Sequence, residues 1–403
     1  MKFKIDRSNW KKVRLGDVAT EYSKRINNPS KSEFDRFVGS SNIGQWDFRI
    51  QSWESTDSVT SAMKLFEPND YLLVRRSLYA SDFRERAPRA TFSGVCSGDI
   101  LTIKENPKKV VDGFLIGILN SPSLWKYVVA NASGSITRRI KWKDLANYEF
   151  LLPPKDQQAK LAELLWAMDE VIEKEVLVAD AIMNTLHVQI EKEIHGTSIL
   201  GKTINQILEE VNQNMKLIEL KKLGELIKGK GIQKSDVMEE GNPCVRYGEL
   251  YTLHNRIIRK YGSFISEELK DTALKLKKHD VLFAGSGETI TEIGKSAAFI
   301  DDIEAYAGSD ILVFRPNDMD GTYLGYLMNS QLVRQQLNKY GTGATVMHIY
   351  NSDLAKIKVP KITRKKQELI GAKLELLSKS LFDVKENIKN SKALQKSLIN
   401  QIF

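Results

Sequence analysis

The chain has 403 residues, a formal net charge of +9 and a sequence pI near 9.2. This length predicts two or more domains, and the basic balance favours a polyanionic partner over an acidic small substrate. No apolar run is long enough to cross a membrane, and residues 1–12 carry charges throughout. These features predict a cytoplasmic protein without membrane contact.

The cysteines and histidines give no metal-site pattern. Cys96 and Cys244 are far apart in sequence, neither belongs to a CxxC motif, and neither has a histidine at zinc-binding spacing. We expect both to be reduced thiols. The five histidines show no paired spacing, so no metal ligand is predicted.

The first part of the chain, residues 1–152, has the pattern of a mixed module. Short β-prone runs such as residues 70–74 and 99–103 alternate with Gly, Asn, Ser and Pro clusters, which is typical of strands joined by turns. A shorter helix is predicted from Asp112 to Val129.

A long amphipathic helix is predicted next. From residue 157 to about residue 194, apolar side chains recur every three or four positions, which is the spacing of a helical stripe. Pro153 and Pro154 precede it, where proline suits the start of a helix. The residues predicted at a helix-pair interface are Leu161, Leu165, Met168 and Ile172.

Residues 196–222 form a connector, with a helix predicted around 204–215, and lead into a second mixed module at about 219–361. The last helix carries an apolar heptad seam in which Ser391 and Gln395 are the two polar members. Such a seam favours another helix as its partner. Its predicted interface residues are Ile370, Leu374, Leu377, Leu381, Val384 and Ile388.

The two modules repeat one another about 209 residues apart. Self-similarity at a fixed separation indicates duplicated structural units. The matching segments are Leu15-Gly16-Asp17 with Leu223-Gly224-Glu225, Ser97–Leu101 with Gly308–Leu312, Asn120-Ser121 with Asn329-Ser330, Gly134 with Gly343, and Gln158 with Gln367.

The predicted fold class is α+β, with two similar mixed α/β modules separated by two long helices that form an antiparallel coiled-coil pair. Each helix of about 40 residues would be about 60 Å long. The alternative, two unrelated core helices that each pack on their own module, is less favoured because such a module is too small to cover so long a helix. The predicted segments are residues 1–152, 153–218, 219–361 and 362–403.

No catalytic residue is predicted. The segment Phe283–Gly287 fits the F-x-G-x-G loop of S-adenosylmethionine-dependent methyltransferases, but the Asn/Asp-Pro-Pro-aromatic tetrapeptide that would hold a flipped adenine is absent. Gly294-Lys295-Ser296 lacks the preceding glycine of a phosphate loop, because position 289 is threonine. Glutamates of the central helix alternate with lysines, as solvated helix faces do.

Basic tracts with neighbouring Ser and Thr are the candidate DNA contacts. Arginine donates two parallel hydrogen bonds to guanine, whereas Lys, Ser and Thr more often hold phosphates. Segments 133–143 and 341–348 occupy duplicated positions and are the predicted shared contact element. Taken singly, each charged residue is equally well explained as a solvated surface charge. The candidates of the first module are Arg75, Arg76, Tyr79, Arg84, Arg86, Arg89, Ser135, Thr137, Arg138, Arg139 and Lys141. Those of the second module are Lys228, Lys230, Lys234, Arg246, Tyr247, Arg256, Arg259, Ser286, Thr289, Lys295, Thr342, Thr345 and His348.

The order of several motifs resembles the specificity subunit of type I restriction-modification systems, over nearly the whole chain. The strongest motif is the passage from the first module into the central helix. The motifs are VRLGDVA at 13–19 and KKLGELIKGKGI at 221–232, NPCVRYGELY at 242–251, FAGSGETITEIGKSA at 283–297, NYEFLLPPKDQQAKLAELLWAMDEVI at 147–172 and IKVPKITRKKQELIGAKLELLSKSL at 357–381. In the last motif, residues 362–366 stand as an insert where the family more often has a second proline-rich segment.

The resemblance implies two target-recognition domains that each bind one half of a split double-stranded DNA sequence, with the paired helices setting the distance between the halves. It implies a non-catalytic subunit with two partner methyltransferase subunits that bind S-adenosylmethionine and methylate adenine. It further implies motor-nuclease restriction subunits in the full complex. These expectations come from the family.

Two other functions stay open at this point. A tandem nucleic-acid or scaffold module without a methyltransferase partner predicts sequence-independent DNA binding with a steep salt dependence. A self-contained methyltransferase predicts that the isolated chain binds S-adenosylmethionine around Gly285 and Gly287, and the missing tetrapeptide disfavours it.

Overall fold

The computed structural model describes residues 6–76, 85–135, 137–196, 201–287, 293–340 and 347–403. The chain forms two compact units. Unit 1 comprises Met1–Leu177 with Val384–Phe403, and unit 2 comprises Val178–Asp383. Each unit contains one of the two predicted modules and one end of each long helix.

Unit 1 begins with a mixed module, as predicted. Its strands are β1 (Lys11–Arg14), β2 (Ala19–Glu21), β3 (Arg25–Ile26), β4 (Arg36–Val38), β5 (Glu54–Ser55), β6 (Met63–Phe66), β7 (Tyr71–Val74), β8 (Gly94–Cys96), β9 (Ile100–Glu105) and β10 (Glu149–Leu152). Its helices are α1 (Leu15–Val18), α2 (Leu115–Leu119), α3 (Pro122–Asn131) and α4 (Trp142–Leu145), followed by the long helix α5 (Lys155–Ile190).

The strands of unit 1 form a three-stranded sheet in the order β2-β9-β7, a five-stranded sheet in the order β3-β6-β8-β4-β5, and the antiparallel pair β1-β10. Strand β7 lies buried throughout, which explains why its sequence is a continuous apolar run rather than an alternating one. The predicted helix from Asp112 to Val129 is two helices, because Ser121 caps α3 by accepting from the Leu124 amide and Pro122 begins it.

Unit 2 repeats this architecture. Its strands are β11 (Leu217–Glu219), β12 (Gly224–Lys228), β13 (Asn242–Val245), β14 (Arg256–Ile257), β15 (Ser263–Ile265), β16 (Leu274–Lys275), β17 (Val281–Ala284), β18 (Ser286–Gly287), β19 (Ser296–Ala298), β20 (Tyr306–Ala307), β21 (Ile311–Pro316), β22 (Met347–His348) and β23 (Lys358–Pro360). Its helices are α6 (Ile204–Asn214), α7 (Glu249–Thr252), α8 (Gly321–Met328), α9 (Gln331–Tyr340), α10 (Asn351–Leu354) and the long helix α11 (Arg364–Ile402).

The sheet order confirms the duplication. The sheets of unit 2 are β12-β21-β17-β19-β14, β15-β13-β20-β16, β18-β22 and β11-β23. The order β15-β13-β20-β16 reproduces β5-β4-β8-β6 of unit 1, including one parallel pair in each. Val38 lies opposite Cys96 in unit 1, and Val245 lies opposite Ala307 in unit 2.

The two long helices pack against each other in opposite directions. In unit 1, Leu165 near the start of α5 shares one buried cluster with Leu398 and Ile402 at the end of α11. In unit 2, Ile190 at the end of α5 shares a cluster with Leu374 near the start of α11. Full burial of a leucine side chain contributes roughly 1.5–3 kcal/mol, so these contacts stabilise the predicted antiparallel pair.

The heptad seam of α11 faces inward along its length. Ile370 and Leu374 are buried, as are Leu398 and the polar seam member Gln395. Of the other predicted interface residues, Ile172 is buried. The half-buried ones are Leu161, Met168, Leu377, Leu381, Val384 and Ile388.

A glutamine holds the start of each long helix with the same hydrogen bonds. Gln158 accepts from the Val111 amide at 2.8 Å and donates to the Pro153 carbonyl at 2.8 Å. Gln367 accepts from the Asp320 amide at 2.9 Å and donates to the Ile362 carbonyl at 3.0 Å. Each pair of equivalent positions is 209 residues apart.

This correspondence corrects the alignment of residues 362–366. They are not an insert, because Ile362 and Thr363 take the places of Pro153 and Pro154 and the geometry of the helix start is unchanged. The predicted connector helix is α6. Among the described residues, no helix is long and apolar enough to span a membrane.

Candidate nucleic-acid interface

Two predicted basic tracts of the first module come together at one end of its sheets. Arg76, which follows β7, meets Arg139 in an antiparallel β-bridge. The Ile140 amide donates to the Arg75 carbonyl at 3.2 Å, and the Arg75 amide donates to the Asp99 carbonyl at 3.0 Å. We call residues 75–76, 99, 133–135 and 137–139 the module-1 tip.

Asp99 holds the two arginines of the module-1 tip. Arg76 Nη1 donates to Asp99 Oδ2 at 2.7 Å, and Arg139 Nε donates to Asp99 Oδ1 at 2.8 Å. The side chains of Arg76 and Arg139 are 46% and 43% exposed, whereas the Asp99 side chain is 17% exposed. Burial opposes ionisation of Asp99, but the hydrogen bonds and charges of both arginines lower its pKa. The cluster therefore carries a net positive charge at neutral pH.

Three other predicted arginines of the first module bind groups within it. Arg138 donates to the Val129 and Ala132 carbonyls at 3.2 and 2.8 Å, at the end of α3. Arg86 donates to the Ser40 carbonyl at 3.2 Å. The mostly buried guanidinium of Arg89 pairs with Asp112 and lies 3.6 Å from Glu105 Oε1. These contacts stabilise the module whether or not the same side chains also meet DNA.

The other predicted residues of the first module differ in how exposed they are. Ser135 and Lys141 are exposed, and Thr137 is half-buried. Tyr79 and Arg84 lie outside the described residues.

The second module has an equivalent tip, formed by residues 285–287, 310 and 347–348. Here Ser286 pairs with His348 across β18 and β22, and Ser286 Oγ lies 3.0 Å from His348 Nδ1. The Tyr251 hydroxyl donates to the Ser286 carbonyl at 2.7 Å, and Lys295 Nζ donates to the Tyr251 carbonyl at 3.2 Å. Two predicted residues, Ser286 and His348, therefore lie together in this module-2 tip, and a third, Lys295, is linked to it through Tyr251.

The remaining predicted residues of the second module have varied surroundings. Lys228, Lys230, Lys234 and Tyr247 are exposed, and Arg246 is half-buried. Arg256 lies against the Tyr326 ring, with its guanidinium 5.6 Å from the centroid and a backbone φ of 64°. Arg259 donates to Glu375 of α11 at 2.6 Å, so it ties the module to the long helix. Thr289, Thr342 and Thr345 lie outside the described residues.

Asp99 was absent from the predicted site although the sequence contained a signal for it. Ser97–Leu101 repeats as Gly308–Leu312, and this repeat aligns Asp99 with Asp310. Residues 99–103 are predicted only as a β-prone run, and the predicted contacts include no carboxylate. Pairing of the two tracts was not predicted, because 62 residues separate Arg76 from Arg139.

The Phe283–Gly287 segment lies in paired strands of the second module. Phe283 and Ala284 belong to the buried strand β17, and Ser286 and Gly287 form β18 in the module-2 tip. Across the described ranges, no group of three or more His, Cys, Asp or Glu side chains could hold a metal ion.

Comparison with known proteins shows what the second module and helix α11 are similar to. The profile described as "Type I restriction modification DNA specificity domain" matches residues 212–391. These residues belong to that family. The match confirms the predicted resemblance to a type I specificity subunit, and with it the prediction of a DNA-recognition component that is not the catalytic one.

Similar proteins extend the likeness beyond the matched specificity domain. The type I restriction enzyme MjaVIII specificity subunit of Methanocaldococcus jannaschii is 20% identical over 321 residues, which cover 77% of this chain and 73% of that protein. The crystal structure of a type I restriction-modification system S subunit from M. genitalium superposes with a TM-score of 0.61 at 15% identity, covering 100% of this chain and 98% of that one.

A third structure, described as the structural basis of complex assembly and conformational transition of the type I R-M system, has a TM-score of 0.54 at 18% identity and covers 99% of this chain and 97% of that one. Together the two structures confirm the predicted fold class.

Proposed function

We propose that the chain recognises a bipartite sequence in double-stranded DNA and directs partner adenine methyltransferase subunits to it. Each module would bind one half of the target through its tip. The observation that supports this proposal most directly is the duplication of the tip itself: Arg76 and Arg139 in the first module, and Ser286 and His348 in the second, occupy equivalent positions and pair across equivalent segments.

The chemistry of the tips suits DNA. The module-1 tip presents two guanidiniums on partly exposed side chains, and such groups can form hydrogen bonds with guanine edges or with phosphates. The module-2 tip combines a hydroxyl and an imidazole with the neighbouring ammonium of Lys295. A net charge of +9 adds the sequence-independent attraction that DNA-binding proteins use.

The long helices carry the second part of the proposal, which concerns distance and partners. They would set the separation of the two half-sites, and their outer faces would bind the two methyltransferase subunits, which would carry S-adenosylmethionine. Exposed apolar side chains support a protein partner on these faces. They include Val171 and Leu177 on α5, and Leu369 and Leu376 on α11. Motor-nuclease subunits would join the complex for restriction.

Methylome sequencing tests this function. Cells that carry the chain with its neighbouring methyltransferase are compared with cells in which the gene for this chain alone is deleted. We expect N6-methyladenine to disappear from one split motif on deletion. Unchanged methylation, with the methyltransferase shown to be expressed and active, would refute the proposal and favour the scaffold alternative.

A further inference from the structure

We infer that Asp99 is a positioning residue that holds the guanidiniums of Arg76 and Arg139 for recognition of guanine, and that a guanine requirement therefore lies in the half-site bound by the first module. The inference rests on the proposed function. It adds the assignment of guanine recognition to the first module.

The hydrogen bonds to Asp99 leave two other nitrogen donors of each guanidinium available for DNA. Arg139 uses Nε for Asp99, so Nη1 and Nη2 remain available as a pair of donors. Arg76 uses Nη1 alone. Neither guanidinium makes another hydrogen bond or ion pair with any part of the chain that the structure describes. Guanine presents O6 and N7 as two adjacent acceptors in the major groove, and two donors of one arginine match them.

The backbone beneath the arginines is also held. The amide of Arg139 donates to the Ser133 carbonyl and its carbonyl accepts from the Ser133 amide, each at 2.9 Å, while the Arg75 amide donates to the Asp99 carbonyl. Long side chains lose rotamer freedom when they bind, and restraint before binding lowers that cost. Asp99 supplies this restraint because one carboxylate orients two guanidiniums at once.

The described residues of the second module contain no such arrangement, which is why the inference assigns guanine to the first. The positions equivalent to Arg76 and Arg139 are Ser286 and His348, bonded to each other. Asp310, the equivalent of Asp99, is exposed and makes no ion pair within the described ranges. Its carboxylate is an acceptor, and an acceptor suits the amino groups of cytosine or adenine rather than guanine O6 and N7.

The test uses the complex of this chain with its methyltransferase subunits, and measures both the methylome motif and the methylation rate of a cognate duplex. Arg139→Lys keeps the charge but removes the two-donor fork. Asp99→Asn keeps the size of the side chain but removes the charge that orients both arginines. Lys12→Gln is the control, because Lys12 forms an exposed ion pair with Glu149 on β1 and β10.

We expect Arg139→Lys to relax one guanine position of one half-site and to lower the rate on the cognate duplex by about 10- to 100-fold, the discrimination of one bidentate contact. Asp99→Asn should lower the cognate rate by about tenfold while binding to unrelated DNA is unchanged or tighter, because the tip gains net positive charge. A purely structural role would weaken both kinds of binding together. Lys12→Gln should leave the motif and the rate unchanged.

The inference is overturned if Asp99→Asn and Arg139→Lys, both folded by tryptophan fluorescence, leave the motif and the rate unchanged. A His348→Ala variant identifies the half-site that the second module binds. The inference is also overturned if the required guanine lies in that half-site and the other half-site contains none. Failure of the proposed function has a different signature, since the unsubstituted complex would then show no motif that depends on this chain.

Discussion

The ion pair between Arg49 and Asp169 gives the sharpest stability prediction, because it ties the first module to helix α5 within unit 1. Arg49 Nε donates to Asp169 Oδ2 at 2.7 Å, and its guanidinium lies 5.4 Å from the centroid of Trp166. The Asp169 side chain is 5% exposed and that of Arg49 is 35% exposed. Arg49→Ala therefore leaves a buried carboxylate without its ion-pair partner.

The magnitude follows from this burial. Removal of one member of a fully buried ion pair costs about 3–5 kcal/mol. Solvent reaches part of the Arg49 guanidinium and screens the interaction, so we expect the free energy of unfolding of unit 1 to fall by about 2–3 kcal/mol. The double variant Arg49→Ala with Asp169→Asn should recover part of this loss, because the carboxylate charge is then absent.

Tryptophan fluorescence measures unit 1 alone. All six tryptophans of the chain, from Trp10 to Trp166, precede residue 177 and so lie in unit 1. Urea unfolding followed by this signal gives the midpoint and slope of that unit. Lys174→Ala is the matched control on the same helix, because the Lys174–Glu170 pair has side chains 70% and 61% exposed. We expect no measurable change for it.

The pH dependence provides a second check. Burial raises the pKa of Asp169 although Arg49 lowers it, so the folded state binds this proton more tightly than the unfolded state. Without Arg49 the pKa of Asp169 rises further. The loss in the free energy of unfolding caused by Arg49→Ala should therefore be small at acidic pH, where Asp169 is protonated, and should grow as the pH rises through the elevated pKa of Asp169. An equal midpoint for Arg49→Ala and Lys174→Ala at neutral pH would refute this reasoning.

Three further predictions concern buried polar groups. Gln158→Ala should lower the stability of unit 1 by about 1–2 kcal/mol in the same urea assay, because the partly buried Val111 amide loses its acceptor; an unchanged midpoint would contradict this. Burial raises the pKa of Cys96 and Cys244 to about 12, so both thiols should resist alkylation at neutral pH in the folded chain and react fully in urea. Burial lowers the pKa of His195 and His254 to about 4, below the ordinary histidine value. As the pH falls, these histidines are therefore protonated in the unfolded state before they are protonated in the folded state. Unit 2 should lose stability as the pH falls from about 6.5 towards 4. Amide hydrogen exchange of unit 2 across this range measures the effect, and His254→Gln should reduce it.

The sequence predicts the frame of the fold well because duplication and periodicity are local signals. The offset of about 209 residues identifies Asn120 and Asn329, and the structure gives them equivalent bonds: each donates to the carbonyl four residues earlier and to one other backbone carbonyl, Ala87 or Ser296. The heptad spacing likewise identifies the buried seam of α11. Such patterns follow from burial on one helix face.

The candidate site was harder to predict because charge type alone does not determine surroundings. Arg89 and Arg139 have the same side chain, yet that of Arg89 is 12% exposed beside two carboxylates and that of Arg139 is 43% exposed. Which arginine serves the module and which remains available depends on strand pairing between distant segments. Neither composition nor periodicity contains that information.

The two modules differ more in the residues at their tips than in the residues that hold the start of each long helix. Several positions that hold the frame keep their chemistry in both copies, as Gln158 and Gln367 do. Arg49 and Arg259 each bind a carboxylate of a long helix, although Glu375 aligns with Trp166 and so lies one turn away from the position of Asp169. Positions at the tips change their chemistry, since two arginines on a carboxylate in one copy are a serine and a histidine in the other. Under the proposed function, two modules whose paired tips differ in this way would recognise unlike half-sites, because substitutions at the tips would leave the sheets and the helix pair intact.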